Sequence, residues 1–234
     1  MTGRAVHLGA SVLVLAGLAV VFGRIAGAYV EPTALGDLAA GYIVLSPGEL
    51  SVPNVITGIL LAYRSFDTLG EVAVLYMVAA SLGPLLQQVE TPRATEAPRL
   101  SDTPGEIIDS GHVALLPMIG VFGAYVILFG HLSAGGGFQG GAIIATGIEF
   151  YMIARVTSAI NVKAFSACES GVGVAFVVVG IFGLVWAGGF LDPRFLPAGE
   201  LGQFVSGGAI PLVSLLLGIK VAAELSVVLE RFRS

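Results

Sequence analysis

Apolar runs long enough to cross a bilayer constrain this chain more than any other feature. Residues 7–30, about 66–88, 112–132, 139–160, 171–190 and 203–232 each reach the length that a hydrocarbon core of ~30 Å demands, about 20 residues of helix. Lipid offers backbone groups no hydrogen bonds, so such segments close their own as helices. Of the 234 residues, 56% are hydrophobic and only 12% are charged. A soluble domain carries roughly twice that charge fraction. The expected fold is an all-α membrane protein with about six transmembrane helices. The first run resembles a secretory signal only in position, because its apolar part is too long and more spans follow. Arg24 interrupts it near the far end, where its stem reaches the interface.

Residues 31–53 read as a loop from their Pro, Gly and acidic content. As one helix, 53–88 would run to about 50 Å, well beyond the membrane. The polar cluster from Tyr63 to Glu71 is the place to break it, into a short helical segment at 54–62, a bend, and a span from about Phe66. Residues 89–111 are polar and hold Pro92, Pro98 and Pro104, which resist helix and sheet alike. They divide the chain into a two-helix segment (1–89), a linker (90–111) and a four-helix segment (112–234). Pro211 is a candidate kink in the last span. With six crossings, one side of the membrane collects Arg4, Arg93, Arg99, Arg155, Lys163, Arg231 and Arg233, and the other only Arg64 and Arg194. The positive-inside rule then puts both termini in the cytoplasm.

The stretch GHLSAGGGFQGG, Gly130 to Gly141, lies between two of these runs. It packs five glycines into seven residues, interrupted by Phe138 and Gln139. Two readings follow: a tight connector with close helix packing, or irregular backbone lining a wet path. Ionisable groups within spans are costly and mark pathways or paired structural sites. Glu149 sits near the middle of its helix with no partner close in sequence. Lys220 and Glu224 are spaced i, i+4 on the last helix, with Lys220 about 16 Å from Arg231 along the axis, near mid-membrane. They serve either as a neutralising pair or as a proton relay. Asp67 and Glu71 open the second span, where Asp67 also suits a helix N-terminus. His131 closes the third span.

Enzyme signatures are missing. GGGFQGG has neither the spacing nor the lysine of a phosphate cradle. His7, His112 and His131 are scattered without metal-ligand spacing. The single cysteine, Cys168, excludes an internal disulfide and is expected as a small buried hydrophobe. With no basic stripe interleaved with aromatics, nucleic acid is not an expected partner. The net charge of −5 adds nothing on partners. No cofactor is expected, and the chain itself is expected to make and break no bonds.

GHLSAGGGFQGGAII resembles the B subunit of Mrp-type multisubunit sodium/proton antiporters, where the stretch usually reads GHxxPGGGFxGG. It also resembles the corresponding subunit of archaeal membrane-bound hydrogenases and sulfur-reducing complexes. NVITGILLAYRSFDTLGEVAVL is similar to the C-terminal end of the antiporter A subunit, which commonly reads NVVTAILxDYRGFDTLGE and is a separate small subunit in the hydrogenases. GGAIPLVSLLLGIKVAAEL resembles the final span of the B-type subunit. The linker then reads as a fusion joint. The chain departs from these patterns at Ala134 (family proline), Ala62 (family aspartate) and Ser65 (family glycine).

The resemblance implies a non-catalytic subunit in the plasma membrane of a prokaryote, docked to other Mrp-type subunits and surrounded by lipid. It would line or support a sodium or proton path, with any redox chemistry in other chains. Asp67, Glu71, Glu149, Lys220, Glu224 and His131 are the candidate path residues, and Gly135, Gly136, Gly137, Phe138, Gly140 and Gly141 would shape it. Two alternatives stay open: a structural scaffold that conducts nothing, and a free-standing secondary carrier. The carrier is weakened by the lack of two related halves.

Overall fold

A computed structural model describes residues 2–31, 33–88, 106–155 and 161–233. The chain divides into two compact units at Ala40/Gly41. The first holds helix α1 (Thr2–Ala28) and the opening turn of α2 (Asp37–Leu50). From Leu8 to Ala28, α1 is apolar and exposed on every side, the pattern of a helix whose solvent is lipid. Residues 31–53 were expected as a loop, and α2 corrects this. Pro47, Gly41 and Gly48 disguise the helix in sequence, whereas LAAGYIVL within it is continuous apolar surface.

The second unit begins within α2 and continues through α3 (Val55–Gly58), a five-residue π-turn (Ile59–Tyr63) and α4 (Ser65–Gln88). The expected short segment and span are both present, separated by a break at Arg64 (φ −120°, ψ 37°). α2 and the α3–π segment meet at 84°, as a broken span or a re-entrant loop does. Close approach at Gly58 permits this, because a Cβ there would strike the Ser46 hydroxyl. The π-turn is closed by the Arg64 N–H donating to the Ile59 carbonyl at 2.7 Å. The carbonyl of Leu60 accepts instead from the Thr68 hydroxyl, also at 2.7 Å. Single π-turns of this kind recur at functional sites.

Next come α5 (Glu106–Leu128), α6 (Gly137–Ala154), α7 (Val162–Trp186), a 3-10 turn (Pro193–Phe195) and α8 (Ile210–Arg233). Three boundaries differ from expectation. Residues 106–111 of the expected linker are the first turns of α5, and 89–105 lie outside the described residues. α7 starts nine residues before Gly171, at Val162, with Asn161 accepting from the Ala164 N–H at 3.1 Å as its cap. α8 starts at Ile210, so Pro211 falls in the first turn, where a missing N–H costs nothing, and no kink results.

Among the described residues, five helices are long and apolar enough to cross a membrane: α1, α4, α5, α7 and α8, or six crossings if the bent α2–α3 pair is one span. The expected fourth span is α6, which falls outside that set. It has 18 residues, about 27 Å at 1.5 Å each, and carries Gln139 and Glu149. Among the described residues there is no strand, only an isolated bridge between Gly199 and Ser206. This is an all-α membrane protein.

α8 is the hub of the second unit, with 61% of its apolar window buried against 22% in α4, α5 and α7. Glycine contacts fix the directions around it. Gly137 abuts Ser214 and Leu217, and Gly141 abuts Gly218 and Val221, so α6 runs parallel to α8. Gly140 abuts Ile127, and Gly147 abuts Ile119, so α5 is antiparallel to both. One end of this bundle therefore gathers the α5–α6 connection and the α7–α8 loop.

Candidate functional site

At that end the two motif regions of the sequence meet. The Asn54 side-chain amide donates to the carbonyls of Gly130 (2.7 Å) and Ser133 (2.8 Å), and its backbone N–H donates to the His131 carbonyl (3.1 Å). The Thr57 hydroxyl donates to Gly130 as well, at 2.8 Å and fully buried. Asn54 also caps α3 by accepting from the Thr57 N–H. An asparagine before a helical run is legible as a cap. Its grip on a loop 76 residues away is not, and sequence reasoning passed over Asn54 and Thr57 as site residues. Ser65, where the family pattern has glycine, uses its hydroxyl to donate to Phe190 in the α7–α8 loop at 2.8 Å.

His131 is wholly buried, with Nε2 3.1 Å from the Phe204 carbonyl. Burial pushes its pKa below the ordinary histidine value, and the carbonyls of Phe204 and Leu128 only partly counter that. At neutral pH it is an uncharged pin between two loops. Across the same loop, Asp192 caps the 3-10 turn and accepts from the Arg194 guanidinium at 2.6 and 2.9 Å. Burial alone would raise the Asp192 pKa, but its bonds from Arg194 outweigh this and hold it below the usual carboxylate range.

The glycine run is a two-sided clamp. Gly136 has φ 149° and ψ 176°, a conformation essentially closed to other residues, and it caps α6. Gly135 beside it has φ 157°. A Cβ on Gly137 would collide with the Ser214 carbonyl, and one on Gly141 would lie 2.6 Å from the Gly218 carbonyl. On the other side, a Cβ on Gly140 would lie 2.7 Å from the Gly123 carbonyl. Small residues that let helix backbones touch are the usual means of packing in lipid. Phe138 is half-buried against the core formed by residues such as Phe176, Val213 and Leu217, while Gln139 is exposed.

The other flank of α8 is charged. Lys220 Nζ stands 3.0 Å from Glu224 Oε2 on its own helix and 3.0 Å from Glu169 Oε1 on α7. All three residues are buried. Tyr76 of α4 sets its ring 5.8 Å from Nζ. Sequence reasoning found the i, i+4 pair and missed Glu169, because the fifth span was begun two residues after it. A carboxylate within an apolar run is itself a signal.

Three candidates stand apart from this cluster. α4 turns Ser65, Thr68, Val72 and Ala79 inward, which leaves Asp67 and Glu71 exposed on the opposite face. Asp67 pairs with Arg64 at 2.5 Å, both about half-exposed. Glu149 is half-buried on α6, with Oε2 enclosed and without a hydrogen bond among the described residues. Cys168 is exposed on α7 rather than buried, since the outer face of a membrane helix is itself apolar. Among the described residues no group of three or more His, Cys, Asp and Glu side chains is arranged to hold a metal ion.

Helices of this length and apolarity, packed through glycine and holding charge inside, define a multi-pass membrane protein. Residues 107–227 match the family of domains related to the MnhB subunit of Na+/H+ antiporters, and the chain belongs to that family. It is 27% identical over 199 residues to an uncharacterised protein of Methanocaldococcus jannaschii, covering 75% of each chain. It is similar to a chain of the membrane-bound sulfane sulfur reductase, an archaeal respiratory membrane complex: 29% identity, TM-score 0.78, 96% of this chain and 98% of that one. The fold is also that of part of the Mrp complex from Dietzia sp. DQ12-45-1b, at TM-score 0.76 and 23% identity, where 96% of this chain spans 25% of that one.

Proposed function

We propose that the chain is a non-catalytic membrane subunit of an Mrp-type cation/proton antiporter module, within a respiratory complex of the sulfane-sulfur-reductase or hydrogenase kind. There it lines or supports a sodium/proton path and docks against other antiporter-type subunits. The observation that carries this reading is the end-to-end likeness to one chain of such a complex. The joining of both motif regions through Asn54 supports it. In this reading residues 1–89 and 112–234 are two neighbouring subunits fused at 90–111. Basic Arg155, Lys163 and Arg231 lie at the end of the bundle opposite Arg64 and Arg194, which supports a cytoplasmic C-terminus in a prokaryotic plasma membrane.

The exposed position of Asp67 and Glu71 sharpens the proposal. A bare carboxylate against hydrocarbon is untenable, so a neighbouring subunit or a wet path covers this face of α4. The scaffold reading draws instead on the glycine clamp, which serves packing whether or not ions pass. Purification from native membranes is expected to bring down antiporter-type subunits. Glu71→Gln is then expected to lower sodium-coupled proton flux in vesicles while the complex still assembles. Assembly lost together with flux makes Glu71 a structural acid.

A further inference from the structure

The cluster on α7 and α8 has an arithmetic of its own. Two carboxylates, Glu169 and Glu224, converge on one ammonium, Lys220, and all three are buried within helices apolar enough to span a membrane. Fully ionised, the group carries one excess negative charge, and uncompensated charge in such a place is expensive. A second observation points the same way. Glu224 is 0% exposed, and neither carboxyl oxygen has a well-directed hydrogen bond among the described residues, although Oε2 is 3.0 Å from Nζ.

Among the described residues, Lys220 is the cation within ion-pair distance of Glu169 and Glu224. α4 contributes the Tyr76 ring. α6 meets α8 through Gly137 and Gly141, and its own carboxylate is Glu149. α5 meets α8 through Ile127, which touches Gly218 and accepts from the Ser214 hydroxyl. Arg231 lies on the same face of α8, seven residues past Glu224, and donates to the Ala79 carbonyl.

We infer that Glu169, Lys220 and Glu224 form a proton-binding site that holds one exchangeable proton, resident on either carboxyl, with Lys220 charged and bonded to whichever carboxylate is ionised. A single O–H bond is all that forms or breaks. The inference deepens the proposed function by naming the proton as the ion held here, and rests on it for the use of that proton in transport.

The test is covalent labelling of the native complex with an apolar carbodiimide, which adds to protonated carboxyls, read by peptide mass spectrometry of this chain. Adduct is expected on Glu169 and Glu224 of the wild type at neutral pH. Glu169→Gln leaves Glu224 with Lys220 to itself, an ionised pair, so labelling of Glu224 falls by about tenfold or more. Glu224→Gln has the same effect on Glu169. Lys220→Met leaves both carboxyls protonated and raises adduct on each. These glutamines are nearly isosteric, so they carry the test even if Lys220→Met fails to assemble. Wild-type protein without adduct at either position, or labelling of one carboxyl unmoved by loss of the other, overturns the shared site. Labelling as expected in a chain that co-purifies with no antiporter-type subunit supports the proton site and removes the functional reading instead.

Discussion

On one flank, α8 meets α5 and α6 through Ser214, Gly218 and Val221, and backbones come within contact because Gly137, Gly140 and Gly141 carry no side chain. On the other it meets α7 through the Lys220–Glu169 pair and α4 through the Tyr76 ring, with a buried ion cluster at the seam. The first flank is steric and nearly free of polar chemistry. The second is electrostatic, and its groups are the kind whose charge state can change. The most conspicuous motif in the sequence thus supports packing, and the chemistry lies on the far side of the same helix.

The largest effect that would test this contrast is on the charged flank. Lys220→Met takes the one cation away from two buried carboxyls, both of which must then bind a proton, and breaking a buried pair by removing one partner costs about 3–5 kcal/mol. Thermal denaturation of the purified complex is expected to show it. Wild-type stability would mean that the cluster is hydrated in the assembly and that the contrast between flanks is overdrawn.

A smaller loss is expected on the glycine flank. Gly137→Ala sets a Cβ against the Ser214 carbonyl, which α8 cannot move aside, and overpacking of this sort costs about 1–3 kcal/mol. The better helix propensity of alanine returns at most about 1 kcal/mol, less in a first turn. Gly147→Ala is the control on the same helix. Its Cβ would lie 2.9 Å from the Ile119 side chain, which can shift, so it should cost less. Equal melting temperatures for the two variants would remove the clamp as an explanation of the motif.

The sequence made the two flanks unequally legible. Lys220 and Glu224 share a helix face, so a spacing of four exposes their pairing. Glu169 joins them from 51 residues away, a contact that no local pattern encodes. The glycine run announced close packing, but which helix each glycine touches depends on three helices meeting at once. Long apolar spans read well because lipid leaves them one conformation. α2 did not, since Pro47 and two glycines inside a helix read as a turn. Asn54 opens the NVITGILL stretch, yet its role is set by carbonyls of a loop far along the chain.

The finest test concerns Phe138, which lies where the two flanks meet. It opens a stripe on α6 that continues through Ala142 and Ala145 to Glu149, at i+4, i+7 and i+11. Its ring packs against the core that also holds Leu217. Phe138→Leu keeps most of the bulk and all of the apolarity, so the stability cost is under about 1.5 kcal/mol and assembly is expected to survive. What changes is the flat ring, and with it the shape of the stripe that leads to the enclosed oxygen of Glu149. Sodium-coupled proton flux in vesicles is therefore expected to change while the quantity of assembled complex stays the same. If flux is unchanged, Phe138 is an anchor like its glycine neighbours. The path-shaping role proposed for Gly135 to Gly141 then falls, and ion handling within this chain contracts to the charged flank of α8.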